Sequence, residues 1–149
     1  MDTKIVPGVI KEQSLATLNP ADSVMDAVNL MTERKIGAVI IVDNSAKLAG
    51  IFTERDLVNR VVAKGLDAAS VPLSKVMTVG PDTLGPHDTA MNALDMMSAR
   101  RYRHLPVVDG DTVIGMVSIR DLFNVVKAQL EEDVRERENF IFGSDYGVA

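Results

Sequence analysis

The chain has 149 residues, a formal net charge of −5 and a pI of about 5.0. Its hydrophobic and charged shares, 46% and 25%, are ordinary for a soluble folded domain and exclude a disordered or low-complexity chain. The lack of cysteine excludes disulfides, thiolate metal sites and a cysteine nucleophile. An acidic chain has no general attraction to nucleic acid or anionic membrane, and no apolar run approaches the roughly 20 residues of a membrane span. With no secretory signal visible, we expect a cytoplasmic protein whose partners include neither nucleic acid nor membrane.

The first half of the chain predicts a helix, two strands and a second helix, in that order. Ser23 follows a polar turn and is a candidate N-cap for a helix whose apolar residues recur at helical spacing. Two β-branched runs, residues 38–42 and 48–53, flank a turn and predict a hairpin. The second helix is predicted to start at Glu54. A short strand is also expected ahead of the first helix.

The same order recurs in the second half of the chain. Residues 17–43 and 83–109 share 10 of 27 identities at an offset of 66, and residues 50–63 and 115–128 share 7 of 14 at an offset of 65. Agreement this long and this ordered indicates two copies of one unit, joined near Thr78. In the second copy Thr89 is the candidate N-cap, and Pro106 indicates an edge strand or a strand end, because proline gives no ladder donor.

The last helix is predicted to be longer than its counterpart in the first copy, because an apolar stripe continues to about Val134. The residues after it hold three of the six aromatic side chains of the chain, Phe140, Phe142 and Tyr146. We expect those side chains to pack on this chain or on a second subunit. The sequence is therefore divided into a first unit over 1–78, a second unit with an extended helix over 79–138, and an aromatic tail over 139–149.

Each copy contains a strand that ends in a hydroxyl side chain, followed three residues later by an aspartate. These pairs are Thr53 with Asp56 and Ser118 with Asp121. One interpretation is a capping box, in which the aspartate bonds back to the cap. The other is a ligand site, because the free N–H groups and the hydroxyl at a helix start suit a phosphate, while a carboxylate accepts bonds from ribose hydroxyls. Arg55 or Arg120 would add charge-assisted bonds, and the two interpretations are compatible.

The whole repeat resembles the cystathionine-β-synthase (CBS) domain, and the tandem resembles a CBS pair, also called a Bateman module. The likeness covers about residues 5–130 and rests on Gly-x-x-Thr/Ser-x-x-Asp in both copies, the strand 103–109 and the junction 76–78. It implies an α+β fold of two β-α-β-β-α repeats packed about a pseudo-twofold axis. It also implies clefts that bind an adenosyl compound, namely AMP, ADP, ATP, NAD or S-adenosylmethionine.

The resemblance assigns binding roles more fully in the second copy. Its candidate residues there are Thr83, Arg103, His104, Leu105, Pro106, Val107, Ser118, Arg120 and Asp121. Ser118 and Arg120 take the phosphate position, Asp121 the ribose position, and the backbone of strand 105–107 the adenine position. Arg103 and His104 are expected to face phosphate.

The first copy keeps Thr53, Arg55 and Asp56, but it lacks the basic strand of the second copy. Gly37 and Ala38 stand where Arg103 and His104 stand in the second copy. We therefore expect the second cleft to bind more tightly, and the first to be empty or to prefer a less charged ligand.

Three functions follow from these observations. The first is a stand-alone regulatory module that senses an adenine nucleotide and signals to an unidentified effector protein. The second is a structural dimerisation module with vestigial clefts, and the third is a nucleotide-processing enzyme. No GxGxxG after a strand and no nucleophile elbow supports the enzyme, and two histidines without cysteine provide no metal cluster. We expect a homodimer without catalytic residues.

Overall fold

The computed structural model describes the backbone of residues 3–148 and the side chains of residues 3–142. The elements of the first repeat are β1 (Thr17–Leu18), α1 (Val24–Arg34), β2 (Ala38–Val42), β3 (Leu48–Thr53) and α2 (Glu54–Asp56), which continues as π-type turns over Leu57–Val62. The elements that follow are β4 (Thr78–Val79), α3 (Ala90–Arg100), β5 (His104–Asp109), β6 (Thr112–Ser118) and α4 (Ile119–Val148). The α+β class and the tandem of two repeats are confirmed.

The equivalent helices α1 and α3 have the same kind of N-cap and the same kind of C-terminal end. Ser23 caps α1, where its Oγ accepts a hydrogen bond from the Asp26 N–H at 3.1 Å and its own N–H donates to Asp26. Thr89 caps α3 through a 3.1 Å bond from the Asn92 N–H. Both N-cap predictions are therefore confirmed. Each helix ends in a left-handed residue, Lys35 in α1 and Arg101 in α3, 66 positions apart as the repeat requires.

The strands form two sheets, one in each repeat. The first sheet has the order β1-β2-β3-β4, with β1 parallel to β2 and the other pairs antiparallel. The second sheet is the antiparallel pair β5-β6, and a single parallel bridge from Leu84 to Val107 stands where β1 stands in the first. The expected leading strand is thus present in the first repeat and reduced to one bridge in the second. Pro106 lies on the outer side of β5, where its carbonyl accepts from the Leu84 N–H at 2.9 Å.

Each sheet packs on its own hydrophobic core, and the N-terminal residues of the chain belong to the core of the second repeat. Ile5 and Ile10 are buried in the core of the second repeat, with Leu84, Leu105 and Leu122. Backbone bonds fix the segment there, because the Ile5 N–H donates to Asp88 at 2.7 Å and the Ala90 N–H to Thr3 at 2.8 Å. The predicted boundary between the two units at residue 78 stays a prediction. Residues 3–10, which that prediction placed in the first unit, pack against the core of the second repeat.

The last helix, α4, runs without interruption for 30 residues. Residues 139–148 continue this helix. Phe140, Ile141 and Phe142 are 77%, 59% and 59% exposed. The side chain of Tyr146, which the sequence grouped with them, lies outside the described residues. Within the described residues, no helix combines the length and the apolar character that crossing a membrane requires.

Candidate functional site

One cleft of about 1050 Å³ lies between the repeats and is lined by residues of both. Residues 53–56 and 118–121, the starts of α2 and α4, both line it. The sequence predicted one cleft in each copy, whereas the structure joins the two motifs in one cavity. We call the part formed by residues 53–56 the first half of the cleft and the part formed by residues 118–121 the second half.

Both motifs adopt the capping-box geometry. In the second half the Ser118 N–H donates to Asp121 Oδ2 at 2.9 Å, and the Asp121 N–H donates to Ser118 Oγ at 3.1 Å. In the first half the corresponding distances between Thr53 and Asp56 are 3.0 and 3.2 Å. Each cap uses one carboxylate oxygen, Oδ2, so the second oxygen of each aspartate takes no part in the cap. The capping interpretation is confirmed, and it does not exclude a ligand.

His104 lies where the two halves meet. A Cβ atom added to Gly37 would lie 3.4 Å from His104 Cε1 and 3.1 Å from Glu54 Oε1. The lack of a side chain at Gly37 therefore makes room for both His104 and Glu54. Burial lowers the pKa of His104 below 6.5, Arg103 lowers it further, and the charges of Glu54 and Asp121 oppose this. Burial of the imidazole therefore favours its neutral form.

The two motif arginines have different surroundings. The Arg55 Nη1 donates to the carbonyl of Arg101 at 2.6 Å, so its guanidinium ties the start of α2 to the C-terminal end of α3 across the repeat boundary. Arg120 is exposed at the equivalent position and has neither a hydrogen bond nor an ion pair to another described residue. Arg120 is therefore free for a ligand, while Arg55 already holds a protein carbonyl.

A polar cluster in the cleft wall was not identified from the sequence. Asp82 accepts a 2.8 Å bond from the Tyr102 hydroxyl and a 2.8 Å bond from Arg100 Nη1 on the same oxygen. Burial and the Asp82 carboxylate raise the pKa of Tyr102 to about 12. Arg100 and Tyr102 lie 18 and 20 positions after Asp82, so no short-range spacing in the sequence joins the cluster.

The cleft gathers most of the candidate residues. Those that line it are Thr53, Arg55, Asp56, Arg103, His104, Leu105, Ser118, Arg120 and Asp121. The side chain of Val107 is instead fully buried in the second core, Pro106 is buried beside it, and Thr83 is exposed outside the lining. A ligand role for these three stays a prediction. Among the residues that the structure describes, no group of three or more His, Asp or Glu is placed to hold a metal ion.

The sequence model of the CBS domain matches the chain twice, over residues 3–63 and 73–128. The chain is 33% identical over 126 residues to the mitochondrial CBS domain-containing protein CBSX3 of Arabidopsis thaliana, covering 82% of this chain and 61% of that protein. It is 40% identical over 103 residues to CBSCBSPB2 of the same plant, covering 69% of this chain and 19% of the relative. The chain thus spans between a fifth and three fifths of the length of these two curated relatives.

Solved structures show the same architecture. A protein with CBS domains from Burkholderia ambifaria superposes with a TM-score of 0.79 at 32% identity, covering 85% of this chain and 95% of that one. A CBS domain protein from Pyrobaculum aerophilum complexed with AMP superposes with a TM-score of 0.69 at 22% identity, covering 76% and 86%. A CBS domain pair in complex with 5′-methylthioadenosine and S-adenosyl-L-methionine gives 0.76 at 23%, covering 87% and 99%. With both repeats matched, this chain belongs to the CBS domain family.

Proposed function

We propose that this chain is a regulatory module that binds an adenosyl nucleotide in the cleft between its repeats and signals occupancy to a partner protein. The observation that carries the proposal is the second half of the cleft. There one carboxylate oxygen of Asp121 accepts the hydrogen bond of the cap. Ser118 and Arg120 lie next to Asp121 at the start of the long helix α4. Two proteins of the same fold are complexed with AMP or with 5′-methylthioadenosine and S-adenosyl-L-methionine, which supports this class of ligand.

In this proposal each part of such a ligand has a partner in the cleft. The second oxygen of Asp121 accepts from the ribose hydroxyls, as a charged acceptor with spare lone pairs does. The hydroxyl of Ser118, the N–H groups at the start of α4 and the guanidinium of Arg120 hold the phosphate. The backbone of strand 105–107 faces the adenine in this proposal, with Leu105 at the cleft wall.

The cleft has room for this ligand class. Pockets for small molecules commonly enclose about 300–1000 Å³, and this cleft encloses about 1050 Å³. The volume therefore accommodates one nucleotide in each half or one larger ligand, such as NAD or ATP, across both. In the proposal the ligand is bound and released without turnover.

A thermal-shift panel of AMP, ADP, ATP, NAD and S-adenosylmethionine tests the proposal, because a ligand of the folded state raises the melting temperature. We expect at least one compound to stabilise the wild-type protein and to be recovered unchanged by chromatography. Stabilisation should weaken in Asp121→Asn. Turnover of the compound would favour the nucleotide-processing enzyme, and stabilisation by none of the five would favour the dimerisation module.

We propose further that the module is a homodimer in which α4 contributes to the interface. The helix carries a row of exposed apolar side chains, and surfaces of this kind mark protein contacts. The exposed members are Phe123, Leu130, Val134, Ile141 and Phe142.

A further inference from the structure

The two aspartates of the capping motifs differ in what touches their second oxygen. In the first half, Asp56 Oδ1 lies 3.5 Å from Arg60 Nε, one turn further along the helix. In the second half the residue equivalent to Arg60 is Val125, and Asp121 forms no ion pair with any described residue. The oxygen that a ribose would use is thus shared with a cation in the first half and open in the second.

The guanidinium of Arg60 is held in place independently of the aspartate. Its Nη1 donates to the carbonyl of Val76 at 3.2 Å and to that of Met77 at 3.1 Å. Val76 is buried in the first core, so these carbonyls are a fixed anchor at the end of the segment that leads to β4. These two hydrogen bonds therefore keep Arg60 beside Asp56, whose side chain is only 13% exposed.

We propose that Arg60 is a specificity-determining residue that competes with ribose for Asp56, and so lowers the preference of the first half for ribonucleotides. The inference rests on the proposed function and deepens it. A ribose hydroxyl must donate to a carboxylate oxygen whose charge is already partly neutralised by Arg60. In the second half a half-buried valine stands at that position and offers no competition.

The test measures binding of AMP and of 2′,3′-dideoxy-AMP by calorimetry in an Asp121→Asn background, with and without Arg60→Gln. The background removes the ribose acceptor of the second half. We expect Arg60→Gln to tighten AMP binding about two- to fivefold, the range of a partly exposed ion pair. Binding of the dideoxy form should not change, because it has no hydroxyls to donate to Asp56.

Two further variants make the result specific. Lys64→Gln removes the same charge from an exposed position one turn beyond Arg60 and should leave both affinities unchanged. Val125→Arg in the otherwise wild-type protein places the competing cation in the second half, and should weaken AMP binding by a similar factor while sparing the dideoxy form.

Equal changes for AMP and its dideoxy form in both Arg60→Gln and Val125→Arg would overturn the inference, since they would show a general charge effect. No change in either variant, in protein that binds AMP, would also overturn it. Wild-type protein that binds neither AMP nor any other compound of the adenosyl panel would overturn the proposed function itself. The two failures are therefore distinguishable.

Discussion

The two halves of the cleft share a backbone design and differ in the side chains around it. Thr53 with Asp56 and Ser118 with Asp121 form the same two hydrogen bonds at 2.9–3.2 Å. The first half has its arginine tied to a carbonyl of the other repeat, whereas the second half leaves Arg120 unengaged. Repetition thus preserves the local cap, because the cap stabilises the helix in both copies. The flanking positions differ between the copies, and in the proposed function they set what each half binds.

The largest expected effect is at Asp121. We predict that Asp121→Asn weakens AMP binding by about ten- to a hundredfold, since a hydrogen bond to a charged group is worth about 1.5–3 kcal/mol. The loss should largely vanish for 2′,3′-dideoxy-AMP. Calorimetric titration of both compounds against both proteins measures the coupling.

The matched variant for this comparison is Asp56→Asn, which makes the same change in the first half. We expect it to cost less, because Arg60 already engages that carboxylate. A larger loss in Asp56→Asn than in Asp121→Asn would reverse the ranking of the halves. Zero coupling between Asp121 and the ribose hydroxyls would reduce Asp121 to a helix cap.

The second prediction concerns the helices that follow the two motifs. The first ends at Val62, whereas α4 continues to Val148 with exposed apolar side chains. Deletion of residues 139–149 should weaken dimerisation at least about tenfold, because burying one large apolar side chain contributes about 1.5–3 kcal/mol. Sedimentation equilibrium measures the effect. An unchanged dimer would remove this segment from the interface, and a monomeric wild type at micromolar concentration would contradict the dimer.

The third prediction uses two equivalent glycines, one in each repeat. A Cβ on Gly50 in β3 would lie 2.6 Å from the backbone oxygen of Thr78, whereas a Cβ on Gly115 in β6 would meet the side-chain ends of Ile10 and Gln13 at 2.5 and 2.9 Å. Gly50→Ala should therefore lower the free energy of unfolding by about 1–3 kcal/mol, and Gly115→Ala by less, because side-chain ends move more easily than backbone. Chemical denaturation checks this order. Equal losses would show that the β4 backbone yields as readily as a side chain.

The smallest effect concerns His104, which lies between the halves. Its pKa in the folded protein is lowered, chiefly by burial, so the unfolded chain binds a proton more readily than the folded chain. Stability should therefore fall as the pH drops below about 6.5, and His104→Gln should reduce this dependence. Denaturation curves between pH 5 and 8 measure it, with His87→Gln at an exposed turn as the control. A pH dependence unaffected by His104→Gln would contradict the prediction.

The sequence by itself determined the features that depend on near neighbours. The N-caps Ser23 and Thr89 and the Thr/Ser-x-x-Asp boxes are predictable because each rests on residues three positions apart. The repeat offset is visible because the two halves of the chain can be compared directly. Hydrophobic periodicity likewise placed the helices and strands, since core-facing residues must recur with the period of the element. The family resemblance follows from these same local signals.

Only the tertiary structure decided which distant residues meet. The Gln13 side chain forms hydrogen bonds with the backbone of Met116, 103 positions away. It lies beside β6 in the second sheet, in the place that β4 takes beside β3 in the first sheet. The convergence of His104 and Glu54 at Gly37, and the anchoring of Arg60 on the junction carbonyls, depend in the same way on the path of the chain. Such contacts leave no periodic signal, because they are set by how the two cores pack against each other rather than by spacing along the chain. The capping motif was therefore readable from sequence, whereas the difference between its two copies required the fold.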